Sequence, residues 1–109
     1  MPANTSPIFG LTPVATWSGN LTTGTNTYDG TSGTTLACTA GSNGAWVDHI
    51  KACAAGTNVA TVLRVFINNG STNGTASNNA LIWQQSLPAT TASASAANQN
   101  IIIPLNLVI

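Results

Sequence analysis

NVATVLRVFINNG, Asn58 to Gly70, is the stretch that decides the fold class. Between Asn58 and Ile67 it holds Val59, Val62, Val65 and Ile67 with Thr61, Leu63 and Phe66, residues that fit a pleated and well-covered surface. Alternation places Val59, Thr61, Leu63, Val65 and Ile67 on one face and Ala60, Val62, Arg64, Phe66 and Asn68 on the other. Both faces are largely apolar, so this is the central strand, covered on both sides or set in a sandwich beside an oligomer contact.

C-terminal to it, residues 68–79 (NNGSTNGTASNN) are a low-complexity polar loop, and Ala80 to Leu87 (ALIWQQSL) restores a strand pattern. The two strands form a hairpin with a long exposed tip, and removing Ser71 to Ala76 should cost little, since loop closure depends weakly on length. Pro88 to Asn100 is small and polar, a loop with at most a helical turn at Ala92 to Ala97. The closing segment IIIPLNLVI is a strand that Pro104 interrupts, which calls for an edge position or a bulge.

N-terminal to the central strand, Ala54 to Thr57 turns the chain. Thr34 to Ala40 and Ala45 to Ala54 flank Gly41-Ser42-Asn43-Gly44, the pattern of a hairpin with a four-residue loop. Gly19 to Gly33 is mostly loop, with a ragged strand at Thr25 to Tyr28. Leu11 to Ser18 is a short strand, at an edge because of Pro13. Residues 1–10 (MPANTSPIFG) form an extended arm ending on Ile8 and Phe9. The expectation is all-β: an arm over residues 1–10, then a single antiparallel β-sandwich or jelly-roll of six to eight short strands over residues 11–109.

Composition limits the function. In 109 residues, Thr, Ser, Asn and Gly number 49, whereas Asp29, Asp48, Lys51 and Arg64 are the only formal charges and His49 the only histidine. Such a surface repels its own copies weakly and suits a subunit of an assembly. Two cations cannot neutralise a phosphate backbone, so no nucleic acid is expected as partner. No membrane role is expected either, and the first residues lack the basic and apolar regions of a secretory signal, which points to synthesis in a cytoplasm.

The titratable inventory is equally restrictive. Asp48 and His49 are neighbours that regular alternation sends to opposite faces, so they should not form a dyad, and no enzyme activity is expected. Cys38 and Cys53 are not cross-strand partners in the expected hairpin and read as reduced, buried, small apolar side chains. With one histidine and no C-x-x-C spacing, neither a metal site nor a cofactor is expected. Trp17, Trp46, Trp83 and Tyr28 could build a platform for sugar rings, but tryptophans in a small sandwich more often anchor a core or a subunit contact.

AAGTNVATVLRVFINNG at 54–70, SLPATTASA at 86–94 and IIIPLNLVI at 101–109 together resemble a group of short proteins encoded among the structural genes of tailed bacteriophages. The resemblance covers about half the chain and its motifs are structural. It implies a virion component assembled in the host bacterial cytoplasm, foremost a capsid decoration (cement) protein bound to the major capsid protein or other virion proteins and clustering as a homo-oligomer, a trimer first. A neck, tail or fibre-associated subunit is the alternative within virions, and a glycan-binding module the alternative outside them. The candidate contacts are the apolar ends, Ile8 and Phe9 in the arm and Leu105, Leu107, Val108 and Ile109 in the last strand. Those last residues must be buried in the subunit's own core or against a neighbour.

Overall fold

The computed structural model describes residues 19–22 and 24–109. The strand expected at Leu11 to Ser18 and the arm with Ile8 and Phe9 lie outside the described residues. The described chain is all-β, with strands β1 (Trp46–Cys53), β2 (Thr61–Asn68), β3 (Asn79–Leu87) and β4 (Asn100–Val108) and one short 3-10 turn at Ala76–Asn78. They pair antiparallel as two two-stranded sheets, β2 with β3 and β1 with β4.

The pairs are nested, so the β2–β3 hairpin is inserted between the two strands of the outer ribbon. The connections between the sheets run side by side and are clamped by polar groups. Asn58 and Thr90 exchange both backbone bonds, at 3.0 and 3.1 Å. The Thr57 hydroxyl accepts from the Ala92 amide at 2.9 Å, and the Asn98 amide donates to the Ala54 and Gly56 carbonyls at 3.0 and 3.3 Å. The chain from Trp46 to Val108 therefore reads as one long antiparallel ribbon with a hydrogen-bonded neck in its middle. Residues 92–97 form no helical turn there.

The expected hairpin of Thr34 to Ala40 with Ala45 to Ala54 does not form. Its turn is present: the Gly44 amide donates to the Gly41 carbonyl at 3.0 Å, and Gly44 has a φ of 79°. The arm before the turn is not a strand, and β1 pairs with β4 instead. The physical reason lies in the sequences that compete for β1: Ile101, Ile103, Leu105 and Leu107 offer a large apolar face where residues 34–40 offer only Leu36 and Cys38 among threonines and alanines. Thr25 to Tyr28 is likewise loop.

The β2–β3 hairpin forms where its pattern placed it, but β2 is not the central strand covered on both faces that was expected: among the described residues it pairs with β3 alone, and Val62 is 38% exposed. Val65 pairs with Trp83, and an extra residue, Ile82, bulges from β3 before Leu81 pairs with Phe66. Loop 28–34 lies as a strap over the Arg64 and Phe66 face. The Arg64 guanidinium sits 4.7 Å from the Tyr28 ring centroid, a contact worth about 0.5–1 kcal/mol at an exposed site. Gly30 is buried against Phe66.

The tip of this hairpin is ordered by its asparagines. The Asn68 and Asn69 amides donate across the tip to Asn79 and Asn78 at 3.0 and 3.1 Å, while their carbonyls accept from the Gly70 and Ser71 amides. The Asn73 amide reaches back to the Thr34 hydroxyl at 3.0 Å and the Gly30 carbonyl at 3.4 Å, and the Asn79 amide donates to the Asp29 carbonyl at 3.2 Å. Loop and strap thus hold each other, so removing residues 71–76, expected to cost little, would also remove the Asn73 bonds. Asn73→Ala should lower stability by about 1 kcal/mol in a denaturant melt. A midpoint equal to wild type would mean that the strap is held without Asn73.

Asp29 fixes the bend of the strap by accepting from the Thr31 hydroxyl at 2.6 Å and the Thr31 amide at 3.0 Å. The side-chain bond and then the backbone bond from Thr31 hold its carboxyl below the ordinary 3.8. This contribution is fully present above that pH and is lost as the pH falls through the lower folded-state pKa.

Candidate interaction surface

The β1–β4 ribbon carries the candidate contact residues. On one face Ile50 opposes Ile103 and Ala52 opposes Ile101, with Leu105, Leu107 and Val47 on the same side. The residues of this face are half-buried, apart from Ile103, the one fully buried large side chain among the described residues. The other face is open: Trp46 opposes Val108, Lys51 opposes Ile102, and His49 opposes Pro104. Trp46, Ile102 and Val108 are 66%, 61% and 68% exposed.

Between Val47 and His49 the register shifts, so that Leu105 and Asn106 on β4 oppose Asp48 alone. Asn106 adopts a φ of 46°, a left-handed value that asparagine tolerates better than most residues. This is the irregularity that Pro104 called for. It also breaks the alternation of β1, leaving both Asp48 and His49 exposed. His49 Nδ1 and Asp48 Oδ2 then meet at 2.6 Å. The expectation that these neighbours point apart is thereby corrected, and the reason is the bulge. The pair is solvated, and an exposed contact of this kind contributes about 0–1 kcal/mol.

The last residues divide between the two roles expected of them. Leu105, Leu107 and Ile109 turn partly inward, and Ile109 exchanges both backbone bonds with Ala45 at 2.9 Å, so the terminal strand pairs within its own chain. Val108 faces outward beside Trp46. Ile8 and Phe9 lie outside the described residues. Among the described residues, each strand has one edge with no strand paired to it.

The remaining candidates are dispersed. Cys38 is half-buried and Cys53 exposed, both as free thiols, so Cys53 is not the buried side chain expected of it. It lies where the β1–β4 ribbon meets the neck, opposite Asn100, with its side chain exposed. Trp83 belongs to the inner hairpin and is half-buried, its indole Nε1 without a hydrogen-bond partner, whereas Trp46 stands on the outer ribbon. Trp17 lies outside the described residues. Among the described residues, no three of His, Cys, Asp and Glu gather as a metal-binding group, and no helix is long and apolar enough to cross a membrane.

Sequence reasoning missed the outward face because it counted Trp46 with the other tryptophans and Ile102 with its apolar neighbours. The register of β1 against β4 separates them. The one signal available was Pro104, which announced a bulge but not the strand it would face. No protein-family model, curated protein or solved structure matches this chain.

Proposed function

We propose that this chain is a non-enzymatic structural subunit of a bacteriophage virion, foremost a capsid decoration (cement) protein that binds the lattice of the major capsid protein and stabilises the head. The single observation that carries this reading is the imbalance between strand content and core. Four strands stand in two two-stranded ribbons, and one large side chain is fully buried among the described residues. An isolated two-stranded ribbon is at best marginal in water, so the described sheets call for cover from outside themselves, which neighbouring subunits would supply. On this reading the sandwich or jelly-roll is completed in the assembled state, where copies cluster, as trimers in the first instance, and lay apolar faces across joints between capsid subunits. The mechanism is mechanical: many modest contacts sum to resist the pressure of packaged DNA. The scarcity of charge supports the same reading, because little solvation is lost when such a surface is covered.

The test is binding to particles. The purified chain is expected to co-sediment saturably with heads built of the major capsid protein, to raise the temperature at which they release DNA, and to appear by electron microscopy as repeated density on the outer lattice. Absence of binding to heads, or binding confined to necks, tails or fibres, overturns the decoration reading. A glycan array on which the chain binds specifically would replace it with a carbohydrate-binding one.

A further inference from the structure

The outward face of the β1–β4 ribbon is self-complementary in two independent respects. First, two of the four charged residues in the whole chain stand on it, one of each sign, Asp48 and Lys51. Three residues of extended strand separate them, about 10 Å. Second, a projection and a hollow stand at opposite ends of the same strand. Trp46, 66% exposed, projects at the start of β1, and at its end a depression of about 390 Å³ is lined by Lys51, Cys53, Asn100 and Ile102 of this face together with Ala52 and Ile101 of the other. Trp46 lies roughly 20 Å along the strand from that hollow.

Both relations share a midpoint near His49 and Ile50. A two-fold axis through that point, with the ribbons face to face and antiparallel, lays the tryptophan of each copy on the hollow of the other. The same operation brings each Asp48 to the other copy's Lys51. An isologous contact requires this reciprocity, in which the first residue meets the second and the second meets the first.

Resting on the reading of this chain as an assembly subunit, we infer that the outward face of β1–β4 is a two-fold contact between copies, with Trp46 seated in the hollow at Lys51, Cys53 and Ile102 and with two reciprocal Asp48–Lys51 pairs. Pro104, opposite His49, and Val108, opposite Trp46, add apolar cover at the centre and the ends of this contact. The aromatic anchor supplies affinity and the charges fix the antiparallel orientation.

Sedimentation equilibrium of the full chain tests this, with circular dichroism to verify that each variant is folded. Wild type is expected to associate beyond the 11.0 kDa of one chain through pairing of copies. Asp48→Lys and Lys51→Asp each place like charges across the axis and should weaken association roughly tenfold. Mixed in equal amounts, the two variants should associate again, because one copy then carries two cations and the other two anions. Trp46→Ser should weaken association without dependence on salt. If a reversal fails to fold, Asp48→Asn and Lys51→Gln replace it, and each should again weaken association. A monomeric wild type, single variants that associate like wild type, or a mixture that stays dissociated overturns the inference. Binding to heads is scored separately: heads bound by a chain that does not pair through this face sink the contact and spare the decoration reading, whereas pairing without binding to heads does the reverse.

Discussion

Ile103→Asp is expected to abolish the native fold, while the same substitution at Ile102, one residue earlier, is expected to leave it standing. The two isoleucines have identical chemistry and adjacent places in β4, but Ile103 is 0% exposed opposite Ile50, and Ile102 is 61% exposed opposite Lys51. Removing the buried side chain forfeits about 1.5–3 kcal/mol of apolar burial, and an unpaired carboxylate in its place adds several kcal/mol more. The sum reaches the lower end of total domain stability, about 5 kcal/mol. Circular dichroism melts of the two variants provide the check. Aspartate at 102 also lies beside Lys51, so its melt should stay within about 0.5 kcal/mol of wild type. Equal losses at both positions would mean that the register of β4 against β1 is not the one described.

Gly30→Val should detach the strap from the inner hairpin, with a loss of about 2–5 kcal/mol. Gly30 has a φ of 82°, where a β-branched residue is strained by about 1–2 kcal/mol. A Cβ there would also stand 3.2 Å from Phe66 Cδ1, Phe66 Cγ and Asn79 Nδ2. Phe66 is held in the hairpin and cannot yield freely, which adds an overpacking cost of about 1–3 kcal/mol. Gly24→Val is the matched control, because a Cβ at Gly24 meets nothing within 4 Å. Faster amide exchange in Arg64 to Phe66 of the Gly30 variant, with the β1–β4 ribbon unchanged, is the expected signature. If protection in β2 is unaffected, the strap contributes nothing to that strand.

These two sites mark the limits of the sequence reading. At Ile103 the apolar run IIIPLNLVI announced a strand and Pro104 announced its irregularity, but three consecutive isoleucines cannot show which is buried. That follows from pairing with β1, fixed by residues some fifty positions away. At Gly30, one glycine among four in a polar loop, nothing local distinguished it, since its constraint comes from Phe66 and Asn79.

What the sequence determined by itself was whatever depends on local preference. β-branched and aromatic spacing made Thr61 to Asn68 and Asn79 to Leu87 a hairpin, within three residues of the boundaries read from pattern. Scarce helix formers and abundant threonine, valine and asparagine made the chain all-β. The glycine turn at 41–44 also formed as its residues require. Tertiary structure decided what depends on competition between distant segments. Residues 34–40 lost β1 to β4 because the latter presents an apolar face to Val47, Ile50 and Ala52, and a turn alone does not choose its strands. The same pairing introduced the bulge that brought Asp48 to His49 and divided the terminal residues into a covered set and an exposed one. A period of two tells which residues share a face; only the partner strand tells which face is inside.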